Sequence, residues 1–292
     1  MMHYREITKA FAEGLLPLGF DLVSAFPVQR YNTSILPTYR LPTFGRESTP
    51  STPSTPTTLG ILVANTRHLW PIFLRHLRNR DQAGDSWEAD SDPLDKYTRA
   101  TVERAAVAVL SPGGIRFEIR YSDMAERQVV AFQRLAHETA GIYYNEKCHL
   151  NVHEKFGAWI ALRAVVVIDY PGPANTSALF PSPFNPYPSA DSLLEDKTTH
   201  LRSVIASSDS GAKAGISRNW RAWVELRDLA SGFLDEEARR RWRYDQGEIE
   251  YHYTASKAVL RRYGSRMMEP KTIDPKTVDQ VYLSGLQRAN NR

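Results

Sequence analysis

The 292-residue chain has a single cysteine, Cys148, so it cannot form an intramolecular disulfide or a paired-thiolate metal site. It has no run of eighteen apolar residues, which excludes a membrane-spanning helix. Its start, "MMHYREITKA", is charged and lacks the apolar heart of a secretory signal. A reducing compartment, most simply the cytosol, is therefore expected, and the sequons at Asn32 and Asn175 are expected to be without use. GxGxxG, GxxxxGK[ST] and GxSxG are all missing, so dinucleotide folds, phosphate-loop enzymes and nucleophile-elbow hydrolases have no support. Strong charge is lacking too. The net charge is +4, and arginine and lysine form no concentrated stripe, which suits a small anionic ligand better than a nucleic acid.

What is present reads as mixed α and β around one sheet. "YREITKAFAEGLLPLGF" places Ile7, Phe11 and Leu15 on one helical face, with Pro17 and Gly19 as the stop. "ESTPSTPSTPTT" cannot bury enough to fold, and the spacing of ordered stretches makes it an insertion near 46–58. "LGILVANT" predicts a strand and "RHLWPIFLRHL" a helix. Asp92 and Pro93 cap and open a further helix on which Leu94, Tyr97, Thr101 and Ala105 share a face. "IRFEIRYS" alternates Ile115, Phe117, Ile119 and Tyr121 as a half-buried strand. The pattern from Asp123 predicts one helix through residue 145, and the next strand is expected over 158–169. A long excursion is expected over 171–217, then helices in "NWRAWVELRDL", "FLDEEARRRW" and "YHYTASKAVLRRYG". Residues 1–265 thus read as one domain and 266–292 as a polar tail.

The candidate chemistry concentrates around "CHLNVH" and "HEKFGAWIALRAVVVIDYPG". Cys148, His149 and His153 lie within six residues, but the segment reads as a turn feeding a strand, where a spacing of four does not align two ligands. Gln133 and His137 are four apart on a helix and share a face. Phe156 and Trp159 read as core and Gly157 as a turn residue. Arg163 is the anomaly, because a guanidinium inside an apolar strand costs on the order of several kcal/mol unless it has a partner.

Four segments, "LPLGFDLVSAFPVQRYN", "RQVVAFQRLAHETAGIYY", "HEKFGAWIALRAVVV" and "NWRAWVELRD", occur in an order that resembles the cobalamin-processing CblC family, over roughly residues 10 to 264. The combination His-x-x-Phe-Gly-x-Trp-x-x-x-Arg, after a Gln-x-x-x-His helix, carries most of that resemblance. The resemblance implies an α+β fold of the flavin-reductase (nitroreductase)-like kind, with an antiparallel sheet flanked by helices. It implies base-off cobalamin binding and removal of the upper axial ligand. Alkylcobalamins would be dealkylated by glutathione, and cyanocobalamin decyanated with electrons from reduced FAD or FMN and ultimately NADPH. It also implies a type D cobalamin-trafficking partner protein and a ligand-induced homodimer.

By the same resemblance Val130, Ala131, Phe132 and Gln133 line the corrin, and so do Tyr144, Asn145 and Glu146, although the family has glutamine in place of Glu146. His137 matches a family histidine, Leu162 an apolar contact, and Ser122 loosely an aspartate. Asn151 stands where the animal member has cysteine, and with Leu162 it is expected to form the corrin-facing lip of one strand. Arg163 and Arg227 match arginines that hold glutathione, and a further arginine falls between Val259 and Arg262. Neither His137 nor His153 is expected to ligate cobalt. A non-catalytic cobalamin carrier and a flavin-dependent reductase with another substrate remain the alternatives.

Overall fold

The computed structural model describes residues 3–45, 57–124, 129–187, 191–206 and 218–264. Helix α1 (Tyr4–Leu15) opens with a capping box in which the Glu6 carboxylate accepts the His3 N–H at 2.6 Å. It buries Ile7, Phe11 and Leu15, and the chain leaves it through Gly19 at φ +93°. Strand β1 (Leu22–Pro27) leads into α2 (Val28–Ser34), and β2 (Thr58–Asn65) into α3 (Leu69–Gln82) and α4 (Pro93–Leu110). Then come β3 (Phe117–Tyr121), α5 (Phe132–Ala140), β4 (Tyr143–Asn145), β5 (Leu150–Val152) and β6 (Ala161–Pro171). The described residues close with α6 (Asp191–Ala206), α7 (Trp220–Ala230), α8 (Glu236–Trp242), α9 (Gln246–Thr254) and α10 (Lys257–Gly264).

An antiparallel four-stranded sheet, in the order β1-β2-β6-β3, separates two helical layers, and β4 pairs with β5 in a small hairpin. Every residue of β2 is buried, which explains why "LGILVAN" runs apolar instead of alternating. On one face Ile61, Val63, Ala164, Val166 and Ile168 pack with Phe11, Phe73 and Val102 of α1, α3 and α4. On the other, Leu62, Val165 and Val167 pack with Leu135 and Ala136 of α5 and Trp242 of α8. The hairpin residues Leu150 and Val152 join a third core with Leu194, Leu201 and Leu226 of α6 and α7. The fold is α+β.

Several expectations shift. Of the helix predicted from Asp123 to 145, the described residues form α5 alone, because Gly141 takes a left-handed conformation (φ +68°), terminates it, and lets Tyr143–Asn145 extend into β4. The strand expected over 158–169 runs Ala161–Pro171. The excursion over 171–217 contains α6, whose Leu194, Thr198 and Leu201 are buried at helical spacing. "YHYTASKAVLRRYG" is broken at Ala255 (φ +49°) into α9 and α10. Thr58, counted with the Ser/Thr/Pro insertion, is the first residue of β2, while 46–56 and the expected tail lie outside the described residues.

Asp92 caps α4 as expected, accepting the N–H groups of Leu94 and Asp95 at 3.0 and 3.1 Å. The same oxygen accepts the Tyr251 hydroxyl at 3.1 Å, which ties α4 to α9. Replacing Asp92 with alanine therefore removes a cap and an interhelix bond, a loss of about 1–3 kcal/mol. The urea midpoint falls accordingly with an unchanged denaturant slope, and Asp92→Asn recovers most of it.

Candidate functional site

The pairing of β2 with β6 skips one residue. Ala64 faces Leu162 and Val63 faces Ala164, so Arg163 is the extra residue of a β-bulge. The bulge decides where Arg163 goes. Strict alternation would set it beside Val165 and Val167, under α5. Instead Leu162 packs on the α5 side, while Arg163 reaches a small cavity on the opposite face, lined with Leu69, Trp70, Leu94, Glu248, Tyr251 and His252. The Arg163 Nε donates to Asn65 Oδ1 at 2.7 Å, and no ion pair within 4.0 Å engages it among the described residues.

This cavity lies at one end of the sheet. Asp21 precedes β1, Asn65 ends β2 and Thr66 follows it, Arg163 is near the start of β6, and Ser122 follows β3, its N–H donating to the Arg163 carbonyl at 2.9 Å. Asp21 is fully engaged: it accepts the Thr66 N–H at 2.8 Å and its hydroxyl at 2.5 Å, and meets His68 Nδ1 at 2.8 Å. Arg227 arrives from the last turn of α7. Its Nη1 donates to the Ala158 carbonyl at 3.0 Å and its Nη2 meets His252 Nε2 at 3.2 Å. The guanidinium lies over the rings of Trp159 and Tyr253, with centroids 5.6 and 5.8 Å away. His252 therefore stands between the two arginines, and burial, then Arg227, then Arg163 push its pKa well below the ordinary value. It is neutral at pH 7.

Among the described residues four buried side-chain atoms have no hydrogen-bond partner, and apart from Trp223 Nε1 they are Arg227 Nε, Glu248 Oε2 and the Tyr244 hydroxyl. Buried polar atoms are nearly always paired, so the orphaned Glu248 Oε2 in the cavity wall, with two more unpaired atoms on neighbouring side chains, marks a place for a polar ligand. Burial, reinforced by Asp245, holds the Glu248 pKa well above the usual carboxylate range despite Arg67 and Arg163. Below the unfolded pKa both states are protonated. As pH rises past it, only the unfolded state releases the proton, and folding weakens by about 1.4 kcal/mol per pH unit until Glu248 ionises. Glu248→Gln is therefore expected to raise the melting temperature at pH 7, with the gain vanishing near pH 4. A gain of equal size at both pH values would contradict this origin.

The second group of expected residues gathers where α5 meets the β4–β5 hairpin. Asn151 Nδ2 donates to the Gln133 carbonyl at 3.1 Å, and His137 Nδ1 accepts the Tyr144 N–H at 3.1 Å. That bond fixes the imidazole tautomer, and burial lowers the pKa of His137. The Tyr144 hydroxyl meets His149 Nδ1 at 2.8 Å, Glu146 pairs with Arg134 at 2.8 Å, and Asn145 Oδ1 accepts the N–H groups of Lys147 and Cys148. Val130 and Phe132 are buried in the core beneath, beside Leu162, and the Ala131 N–H donates to the Tyr31 hydroxyl at 3.0 Å. Gln133 is exposed.

One expectation is corrected here. Asn151 and Leu162 do not share a strand: Asn151 belongs to β5, and the His153–Gly157 bridge and three further residues precede β6. Cys148 is buried, His149 is exposed, and among the described residues no group of three or more His, Cys, Asp or Glu side chains is placed to hold a metal. No described helix is long and apolar enough to cross a membrane.

Tyr244, Glu248 and His252 escaped the sequence reading. The signal was there in "YDQGEIEYHY", where Glu248 and His252 stand four apart on an aromatic helix.

No family model and no curated protein matches the sequence. Among solved structures the chain matches that of a C. elegans B12-trafficking protein, CblC, described as a human MMACHC homologue, at 16% sequence identity and a TM-score of 0.60. The match covers 92% of this chain and 99% of that one, so the chain has, over nearly its whole length, the fold of a B12-trafficking CblC protein.

Proposed function

We propose that the chain is a CblC-type cobalamin-processing protein that binds cobalamin base-off and removes its upper axial ligand, using glutathione to dealkylate alkylcobalamins. The observation that carries this reading is the cavity at the sheet end. Arg163 and Glu248 line it, Arg227 reaches its wall through His252, and among the described residues no carboxylate lies within 4.0 Å of either guanidinium. Glutathione brings two carboxylates, each able to take a guanidinium fork. With His252 neutral, the positive field of Arg163 and Arg227 also favours the thiolate over the thiol. The thiol proton leaves to solvent. The sulfur then attacks the cobalt-bound carbon, the C–S bond forms, and the Co–C electron pair stays on cobalt, which is reduced from Co(III) to Co(I).

Cobalamin is assigned to the sheet end beside α5 and the β4–β5 hairpin, against Gln133, His137, Tyr144, Asn145, Glu146, Asn151, Leu162 and Ser122, with Val130, Ala131 and Phe132 shaping the floor. Base-off binding eases reduction only if no side chain replaces the lost nitrogen. His137 Nδ1 is taken by the Tyr144 N–H and His153 Nδ1 by the Lys155 N–H at 3.0 Å, and neither imidazole is assigned to cobalt. Reductive loss of cyanide would draw electrons from a reduced flavin. A flavin-reductase (nitroreductase)-like kind of α+β fold, a type D partner and ligand-induced dimerisation belong to the same reading.

The test is a titration of the full chain with methylcobalamin followed by glutathione. Expected are a base-off absorbance spectrum, then loss of methylcobalamin matched mole for mole by S-methylglutathione. Base-off binding without conversion would make the protein a carrier. A histidine-ligated spectrum would refute the cobalt assignment, and tight flavin binding without cobalamin binding would make it a reductase of another substrate.

A further inference from the structure

Among the described residues Glu248 is the one acidic side chain lining the cavity, and none of them pairs with it. It is 7% exposed, its Oε2 is enclosed and without a hydrogen-bond partner, and it forms no ion pair within 4.0 Å among the described residues. The cations around it are engaged elsewhere. Arg67 is held by Asp245 at 2.5 Å and by the Arg241 carbonyl at 3.0 Å, Arg163 by Asn65, and Arg227 by the Ala158 carbonyl and His252. The remaining nearby acid, Asp21, is saturated by Thr66 and His68. A stabilising role for Glu248 is therefore absent: an apolar or amide side chain would suit the free protein better.

We infer that Glu248 receives the ammonium group of the thiol substrate, so that the cavity selects a zwitterion with two carboxylates and one ammonium over thiols lacking the amine. This rests on the glutathione reading and sharpens it to a charge pattern. The two guanidinium groups of Arg163 and Arg227 and the single carboxyl of Glu248 are the complement of glutathione's two carboxylates and one ammonium. Pairing with the ammonium supplies Glu248 with the partner that the free protein withholds, and its proton leaves to solvent as the pair forms. A site built around one such group discriminates strongly against ligands without it, because the buried partner is then left unpaired.

The experiment compares glutathione with its des-amino analogue, glutaryl-cysteinyl-glycine, as methyl acceptors from methylcobalamin on the full chain. Expected for the native protein is a kcat/KM at least about tenfold higher for glutathione. In Glu248→Gln the glutathione KM rises until the two thiols are used alike, and Glu248→Asp restores part of the preference. Equal use of both thiols by the native protein overturns the assignment while leaving the glutathione reading intact, as does a preference that persists undiminished in Glu248→Gln. Should neither thiol be consumed, nor glutathione bind in calorimetry, the glutathione reading falls and the assignment falls with it.

Discussion

Arg163→Ala is expected to lower kcat/KM for glutathione-dependent demethylation of methylcobalamin roughly 10- to 100-fold while leaving the base-off spectrum intact. The magnitude is that of one charge-assisted hydrogen-bonded pair, about 1.5–3 kcal/mol, at about 1.4 kcal/mol per tenfold in rate. The separation of the two effects comes from the bulge. It turns Arg163 toward α3 and α9, away from Leu162, α5 and the hairpin, where the corrin is assigned. Arg163→Lys keeps the charge and loses the planar fork, so its rate should fall between those of alanine and arginine. Some stability is lost as well, since the fully buried Asn65 gives up its donor, and a melting curve recorded beside the rates separates that contribution. A variant that demethylates at the native rate would remove Arg163 from the thiol site.

What the sequence revealed, and what it hid, follows the range of the physics involved. Helices α1 and α4 and strand β3 were legible because their signals are local: Ile7, Phe11 and Leu15 at helical spacing, Asp92 before Pro93, and alternation through Tyr121. The stop at Gly141 was written in "TAGIYY", yet the apolar run on either side of it read as one helix. Arg163 stood out as a buried charge, but its direction was illegible. A bulge is a property of pairing between β2 and β6, and their paired residues lie about a hundred positions apart in the chain. Glu248 was hidden for a different reason. Helix α9 is enclosed on several sides, burying Gly247, Glu248, Ile249 and Tyr251 together, so no polar face exists against which a buried acid would look anomalous. The α5 and hairpin residues were found through resemblance, and their convergence through the Asn151–Gln133 and Tyr144–His137 bonds is a tertiary fact.

Gly157→Ala is expected to destabilise the protein by about 2–4 kcal/mol and to impair the thiol step beyond its effect on cobalamin binding. Gly157 holds φ +60° within a two-way hydrogen-bonded bridge to His153, a conformation that disfavours any residue with a Cβ. Space is lacking as well. A Cβ at this position would lie 2.4 Å from Ser231 Oγ and 2.7 Å from Ser231 Cβ. The hydroxyl could rotate, but the Cβ is fixed to the end of α7, so the helix end must move. That movement reaches the site directly. Ser231 Oγ accepts the Ala158 N–H at 3.0 Å and donates to the Arg227 carbonyl at 2.8 Å, while Arg227 itself bonds the Ala158 carbonyl. Gly157 thus sets the distance between the loop before β6 and the turn of α7 that carries Arg227. The melting temperature should fall by roughly 5–15 °C, on a scale of about 2–4 °C per kcal/mol for a chain of this size. Ser231→Gly in the same chain removes the two closest atoms, so the double variant should be more stable than the sum of the single losses predicts, the strain at φ +60° and a tight 3.2 Å contact with Leu234 Cδ1 remaining. Simple additivity of the two losses would show that Gly157 and Ser231 do not meet, and would uncouple the turn from the position of Arg227.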